Sequence, residues 1–332
     1  MSATDDRQAF DNEVFDYWIP RLVADGVDAN DVQMVRTNVT SWDDWPGAWA
    51  KVAEAHLSLA RERLAAGSLV TAGEAFVRAS LCFHVGQVVA FHRPDDKRDL
   101  QKRKEAAFRD AAPLLLPPAE RIVIDHHGVP LPGYLRLPGL AGGVGPHACV
   151  ILVPGLDSTK EDFISLSEMC VRRGLACFAY DGPGQGEVRQ HALLQEGYED
   201  SIQTVFDAIA GRPEIDPDRI GLLGRSLGGY YILRAAASNP RIKALAVFGG
   251  AFDLSDWDTM PKTILDGFLW TTDSPDSAQA RQKMGAATLA DCIEQVDCPT
   301  LVVHGKRDAL LHLFHGDVEG RFLAGQIRGR IG

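Results

Sequence analysis

Ser226 stands in the string Gly224-Arg225-Ser226-Leu227-Gly228-Gly229, and that spacing is where the chemistry of this chain begins. An apolar run, Ile220 to Leu223, leads into it, and a helix-forming stretch, Tyr230 to Ala237, leads out. A G-x-S-x-G between a buried strand and a helix is a nucleophile elbow. The serine sits on a strained turn, so its neighbours two before and two after must be small where strand and helix crowd together. The turn lifts the hydroxyl above the sheet. The backbone N–H of Leu227, at the start of the helix, then faces a developing oxyanion. A second oxyanion donor is expected where Val150-Ile151-Leu152-Val153-Pro154-Gly155-Leu156 ends a strand, and the N–H of Leu156 is assigned to it.

The acid should follow a later strand. Thr300-Leu301-Val302-Val303-His304-Gly305-Lys306-Arg307-Asp308 supplies Asp308, in the chain order serine then aspartate. Asp253 and Asp256 are the reserve. The base should come last in the chain, and only His312 and His315 lie beyond Asp308. Too few residues follow Asp308 for a helix, a strand, a loop and a closing helix. The tail from His312 to Gly332 is rich in Gly and Arg and has no apolar strand. The expectation is a truncated or out-of-frame end from which the base is missing, with His312 and His315 as the remaining candidates.

Asp181-Gly182-Pro183-Gly184-Gln185-Gly186 follows another apolar run but does not open a helix, so it is read as a glycine-rich turn, not a dinucleotide loop. No H-E-x-x-H, P-loop or cluster of metal-ligand motifs occurs in the sequence, and neither cofactor nor metal is expected.

The elements that must position these residues are legible in the pattern. From Asn12 to about Ala112 the period is helical, with Ala53, Leu57, Ala60 and Leu64 on one face of Ala48–Ala66 and Gly67 as its C-cap. A second helix is expected over Thr71–Phe91 with Thr71 as its cap. Pro113, Pro117 and Pro118 end this region. A hairpin follows, with strands at Arg121–Asp125 and Tyr134–Leu137 and a turn at Gly128-Val129-Pro130. Short unalternating apolar runs then appear at Cys149–Val153, Ala176–Tyr180, Ile220–Leu223, Ala244–Phe248 and Thr300–Val303. Strands of that kind are buried on both faces, which means a mainly parallel sheet with helices on each side. The expectation is an α/β-hydrolase fold over 119–332, incomplete at its C-terminus, preceded by a helical accessory, lid-like domain over 1–118.

Composition narrows the function. Of the 332 residues, 45% are hydrophobic and 24% charged, and the formal net charge of −11 argues against nucleic acid as a partner. No apolar run approaches the ~20 residues that span a bilayer, and the start has no basic-then-apolar signal. Six cysteines with no C-x-x-C pair read as free thiols, consistent with a cytoplasmic protein. The expected partner is a small-molecule carbonyl substrate, with a homodimer left open and neither nucleic acid nor membrane.

Several strings in fixed order carry a resemblance to a known family. They are Arg21-Leu22-Val23-Ala24-Asp25-Gly26, Ala79-Ser80-Leu81-Cys82-Phe83-His84, Gly155-Leu156-Asp157-Ser158-Thr159-Lys160-Glu161, Asp181-Gly182-Pro183-Gly184-Gln185-Gly186-Glu187, the elbow, and His304-Gly305. From about Asp16 to Leu311 the chain resembles the 2,6-dihydroxypseudooxynicotine hydrolase group of FrsA-like α/β hydrolases, which includes fungal polyketide-shortening hydrolases. The resemblance implies Ser226 as nucleophile and Asp308 as triad acid. The family member that cleaves a C–C bond in a β-diketone-like substrate has glutamate in a G-L-E-S-T string, and Asp157 holds that position here. The family's terminal G-D-H, which carries the base, has no counterpart; Gly316-Asp317-Val318 is only an echo. The leading expectation is therefore a serine hydrolase cleaving a C–C bond next to a carbonyl. The alternatives are a carboxylesterase, or a silent binding protein that has lost its base. Trp42, Trp45, Trp49 and His84 either line the pocket or pack the helical core.

Overall fold

A computed structural model of the chain describes residues 19–139, 143, 145–254 and 257–305. These divide into two compact units. One takes in the described residues up to Glu120 together with Glu161–Glu168; the other is Arg121–Lys160 with the described residues from Met169.

The first unit is helical: α1 (Ile19–Ala24), α2 (Ala29–Asn38), α3 (Trp45–Ala65), α4 (Leu69–Val88) and α5 (Pro94–Ala111). Gly67 closes α3 as the sequence suggests. At φ 76° it donates its N–H to Leu64, while the next N–H, of Ser68, reaches back to Arg63. That pair of bonds caps the free carbonyls of the last turn, and only glycine takes the required φ without strain. The cap of α4 is a correction: the helix starts at Leu69, after Ser68, so Thr71 lies inside it. Every residue of α4 from Ala79 to Val88 is buried, which makes it the central helix of the unit. Trp45 and Trp49 pack edge-to-face in this core, and the Trp45 indole N–H donates to the Val85 carbonyl at 2.8 Å. They are core residues of this unit. His84 is buried beside Asp162, with 3.7 Å between Nε2 and Oδ2. Glu161–Glu168 belongs here through such contacts, including Lys104 Nζ 3.3 Å from Glu161 and the Ser165 hydroxyl donating to Asp25.

The second unit is built on a seven-stranded sheet, ordered β1-β2-β4-β3-β5-β6-β7. The strands are β1 (Ala119–His126), β2 (Val129–Arg136), β3 (His147–Val153), β4 (Ala176–Tyr180), β5 (Ile215–Arg225), β6 (Leu245–Phe248) and β7 (Thr300–Val303). The β1–β2 hairpin turns on His127 and Gly128, both at positive φ, as a tight two-residue turn demands. β2 runs antiparallel to β4; from β4 through β3, β5 and β6 to β7 the pairing is parallel. All five residues of β4 are buried, the unalternating pattern of a covered strand. The helices are α6 (Ile164–Arg172, shared between the units), α7 (Glu199–Ala210), α8 (Leu227–Ser238), α9 (Lys262–Thr272) and α10 (Ser277–Met284). Among the described residues no helix is long and apolar enough to cross a membrane.

The core of this unit joins Ile151, Val153, Phe178, Leu222 and Val247, which the register sets on one face of the sheet, with Ile232 of α8. The register pairs Val153 with Gly224, so the C-terminal ends of β3 and β5 finish side by side. In open α/β sheets this is the edge where ligands bind.

Candidate active site

Ser226 sits at φ 55° and ψ −127°, between the end of β5 and the first residue of α8. A non-glycine residue there is held against a steric cost of about 1–3 kcal/mol. Two backbone bonds hold it: the Ser226 N–H donates to Phe248 at 2.8 Å, and its carbonyl accepts from Gly229 at 2.8 Å. Gly224 and Gly228 are the small neighbours the turn needs. A Cβ on Gly224 would strike the Gly228 carbonyl, and one on Gly228 the Val153 carbonyl. The side chain of Ser226 remains partly exposed. Leu227 is the first helical residue, so its N–H has no acceptor within the helix and carries the positive end of the helix dipole.

The turn after β3 lies directly against this serine. A Cβ on Gly155 would come within 3.0 Å of the Ser226 Cβ. Leu156 is buried and Asp157, partly exposed, follows it. Three anchors hold this turn. Arg225, beside the serine, donates from Nη2 to the Ser158 hydroxyl at 2.6 Å. Gln185 donates to the carbonyls of Pro154 and Gly155 at 3.1 and 2.6 Å. Lys160, fully buried, places Nζ 2.6 Å from Asp181 Oδ2 and 2.8 Å from Glu187, while its N–H donates to Asp181 Oδ1 at 2.8 Å.

The structure therefore sets Gly155, at the head of the turn that carries Leu156 and Asp157, against Ser226 and Leu227. Asp308, His312 and His315 lie outside the described residues, as does the reserve Asp256. Asp253, the other reserve, is described: it bridges to Thr288 and lines a cavity of about 320 Å³ with Leu254, Trp257 and Arg281.

Sequence reasoning passed over Gln185, Lys160 and Asp181. The strings that hold them, Ser158-Thr159-Lys160 and Asp181-Gly182-Pro183-Gly184-Gln185, carry no local signal of these contacts, which join residues 21 to 31 positions apart. The glycine-rich segment is a turn, as expected, and Gln185 precedes a single 3₁₀ segment, Gly186–Gln190. Tyr198 supports it from α7's start: its hydroxyl donates to Gln185 Oε1 at 2.7 Å. Burial pushes the Tyr198 pKa well above its ordinary value, the direction that favours the protonated, donating hydroxyl.

In the helical unit, Asp31, His56 and Cys82 bring three ligand-type atoms within 4.8 Å. His56 Nε2 lies 2.8 Å from Asp31 Oδ2, and Cys82 Sγ 3.8 Å from the same oxygen. Burial first, then Asp31, raises the Cys82 pKa well above the usual thiol value, so it is a protonated donor. The group ties α2, α3 and α4 through its own hydrogen bonds.

The profile of the family described as Esterase FrsA-like matches residues 20–268. The chain belongs to this family. It is 36% identical over 292 residues to the 2,6-dihydropseudooxynicotine hydrolase of Paenarthrobacter nicotinovorans, covering 87% of this chain and 77% of that one. It is 34% identical over 246 residues to the hydrolase LUC6 of a Fusarium species, covering 70% of this chain but only 58% of that protein. Among solved structures, the crystal structure of the 2,6-dihydroxy-pseudo-oxynicotine hydrolase matches with a TM-score of 0.85 at 33% identity, over 94% of this chain and 87% of that one. The protein is thus an enzyme of the α/β-hydrolase class, and the family expected from its sequence strings is the family found.

Proposed function

We propose that this FrsA-like protein is a serine hydrolase that cleaves a C–C bond next to a carbonyl in a small β-diketone-like substrate. The observation that carries the reading is Ser226 at positive φ between β5 and α8, with the Gly155–Leu156 turn packed on it. Ser226 Oγ attacks the carbonyl carbon and gives its proton to a general base. The N–H groups of Leu227 and Leu156 receive the oxyanion. Collapse of the tetrahedral intermediate breaks the C–C bond; the leaving carbon keeps the electron pair as an enolate and takes up a proton. Water then attacks the acyl-enzyme carbonyl, the carboxylic acid leaves, and Ser226 Oγ takes back its proton. Asp308 is the triad acid in this reading, and the base, with His312 and His315 as candidates, is unassigned.

Asp157 is proposed as the acid–base group for the carbon leaving group. It follows the oxyanion residue Leu156 directly and stands where C–C-cleaving relatives are expected to carry glutamate. A carbon leaving group needs a proton delivered, whereas a nitrophenolate leaves without one. Asp157→Asn should therefore lower cleavage of a 1,3-diketone by about 10²-fold or more while p-nitrophenyl acetate hydrolysis stays within about threefold. Equal losses on both substrates would make Asp157 structural. The family's esterase description supports a second reading, a carboxylesterase with the same serine and oxyanion donors. Under that reading the diketone is not turned over at all, and the same two assays separate the two.

A further inference from the structure

One buried side-chain amide uses its full hydrogen-bonding capacity around the turn after β3. Gln185 accepts at Oε1 from the Gly182 N–H at 2.9 Å and the Tyr198 hydroxyl at 2.7 Å. It donates from Nε2 to the Pro154 and Gly155 carbonyls at 3.1 and 2.6 Å. A primary amide offers two donors and two acceptor lone pairs, and all four are taken. The partners also fix which end is which, since carbonyls can only accept.

The peptide unit joining Gly155 to Leu156 is planar and trans, so its C=O and its N–H point in opposite directions. A hydrogen bond that pins the Gly155 oxygen on Gln185 therefore pins the Leu156 N–H on the far side of the same plane. Gly155 itself packs on the serine, its Cβ position 2.8 Å from the Arg225 carbonyl and 3.0 Å from the Ser226 Cβ. A rotation of this one peptide plane would carry the N–H away and turn a carbonyl oxygen in its place.

We propose that Gln185 is a positioning residue for the oxyanion hole, fixing the Leu156 N–H through the Gly155 carbonyl, with Tyr198 fixing Gln185 in turn. The inference rests on the reading of Leu156 as an oxyanion donor. It assigns to the Asp181–Gly186 turn a part in the reaction that its glycines alone do not suggest.

The experiment compares the full chain with Gln185→Glu, Tyr198→Phe and Ser226→Ala, using p-nitrophenyl acetate kinetics and the affinity for phenylboronic acid. The boronate adduct on serine is tetrahedral and puts an oxygen where the oxyanion forms. Gln185→Glu keeps the two acceptor bonds and the shape, but sets an oxygen against two carbonyls. It should lower kcat by about 10²-fold, the loss of one oxyanion donor, with KM little changed and boronate affinity falling by a similar factor. Tyr198→Phe removes one of the two bonds on Oε1 and should lower kcat and boronate affinity by about fivefold, the worth of a single hydrogen bond.

Wild-type kcat and boronate affinity in Gln185→Glu would overturn the proposal. So would a rise in KM with a lower melting temperature and unchanged kcat, the pattern of a merely structural role. Should the glutamate variant fail to fold, Tyr198→Phe decides: unaltered kcat and boronate affinity there also overturn it. If Ser226→Ala binds phenylboronic acid as tightly as the unaltered chain, the serine reading fails and this inference with it. If boronate binding depends on Ser226 but not on Gln185, this inference fails alone.

Discussion

Ser226→Ala should lower hydrolysis of p-nitrophenyl acetate by on the order of 10⁴- to 10⁶-fold, because in the proposed mechanism its hydroxyl is the nucleophile and its loss removes the whole route. The fold should survive. Ser226 N–H and C=O are both bonded through the backbone, to Phe248 and Gly229, and neither bond depends on the hydroxyl. A companion variant separates chemistry from strain. At φ 55° the serine is held where an L-residue is disfavoured, so Ser226→Gly should be as inactive as alanine yet more stable by about 1 kcal/mol. Chemical denaturation of the two variants measures the difference. An alanine variant with substantial esterase turnover would remove Ser226 from the mechanism, and a glycine variant less stable than alanine would remove the strain argument.

The second large effect lies beneath the site. Lys160 and Asp181 are both fully buried, 2.6 Å apart, and Glu187 shares the ammonium. Taking one member of a buried pair away leaves the other charged group in a low-dielectric interior, which typically costs about 3–5 kcal/mol. Lys160→Met should destabilise the chain by about that much in urea unfolding. The double change Lys160→Met with Asp181→Asn should regain part of the loss, because it removes the stranded charge. An additive double variant, each change costing its full amount, would mean that the pair is not the source of the stability. The turn carrying Leu156 and Asp157 is anchored on this pair, so activity should fall along with stability in the single variant.

These two effects mark what can be read from a sequence and what cannot. The elbow was legible because its requirement is local: small residues on either side of a serine, a strand before and a helix after. The β-strands were legible for the same reason, since Ala176–Tyr180 is apolar throughout and is buried throughout. Gly67 marked the end of α3 because only a positive φ closes that turn. Thr71 was misread as the cap of α4, since a threonine followed by Glu74 looks like a capping box, whereas the apolar Leu69 and Val70 already start the helix. The anchors of the turn after β3 were not legible. Gln185 meets Pro154 and Gly155 from about thirty residues away along the chain, and Lys160 meets Asp181 from about twenty. Neither pairing has a period, and a lysine or glutamine in a loop reads as a solvated residue until the fold closes over it. Glu161–Glu168 escaped the domain reading similarly: it is flanked by hydrolase-type strands, but its contacts with Asp25, His84 and Lys104 join it to the helical unit.

The hydroxyl of Ser226 is proposed as the attacking group, and covalent labelling puts that role to the test. The full chain is incubated with a fluorophosphonate, which phosphonylates an activated serine hydroxyl with loss of fluoride, and is then digested and sequenced by mass spectrometry. A single adduct is expected, on Ser226 and absent from Ser226→Ala, and phenylboronic acid should slow its formation. An adduct on another serine, or an unmodified Ser226 after labelling that a known serine hydrolase completes under the same conditions, would contradict it.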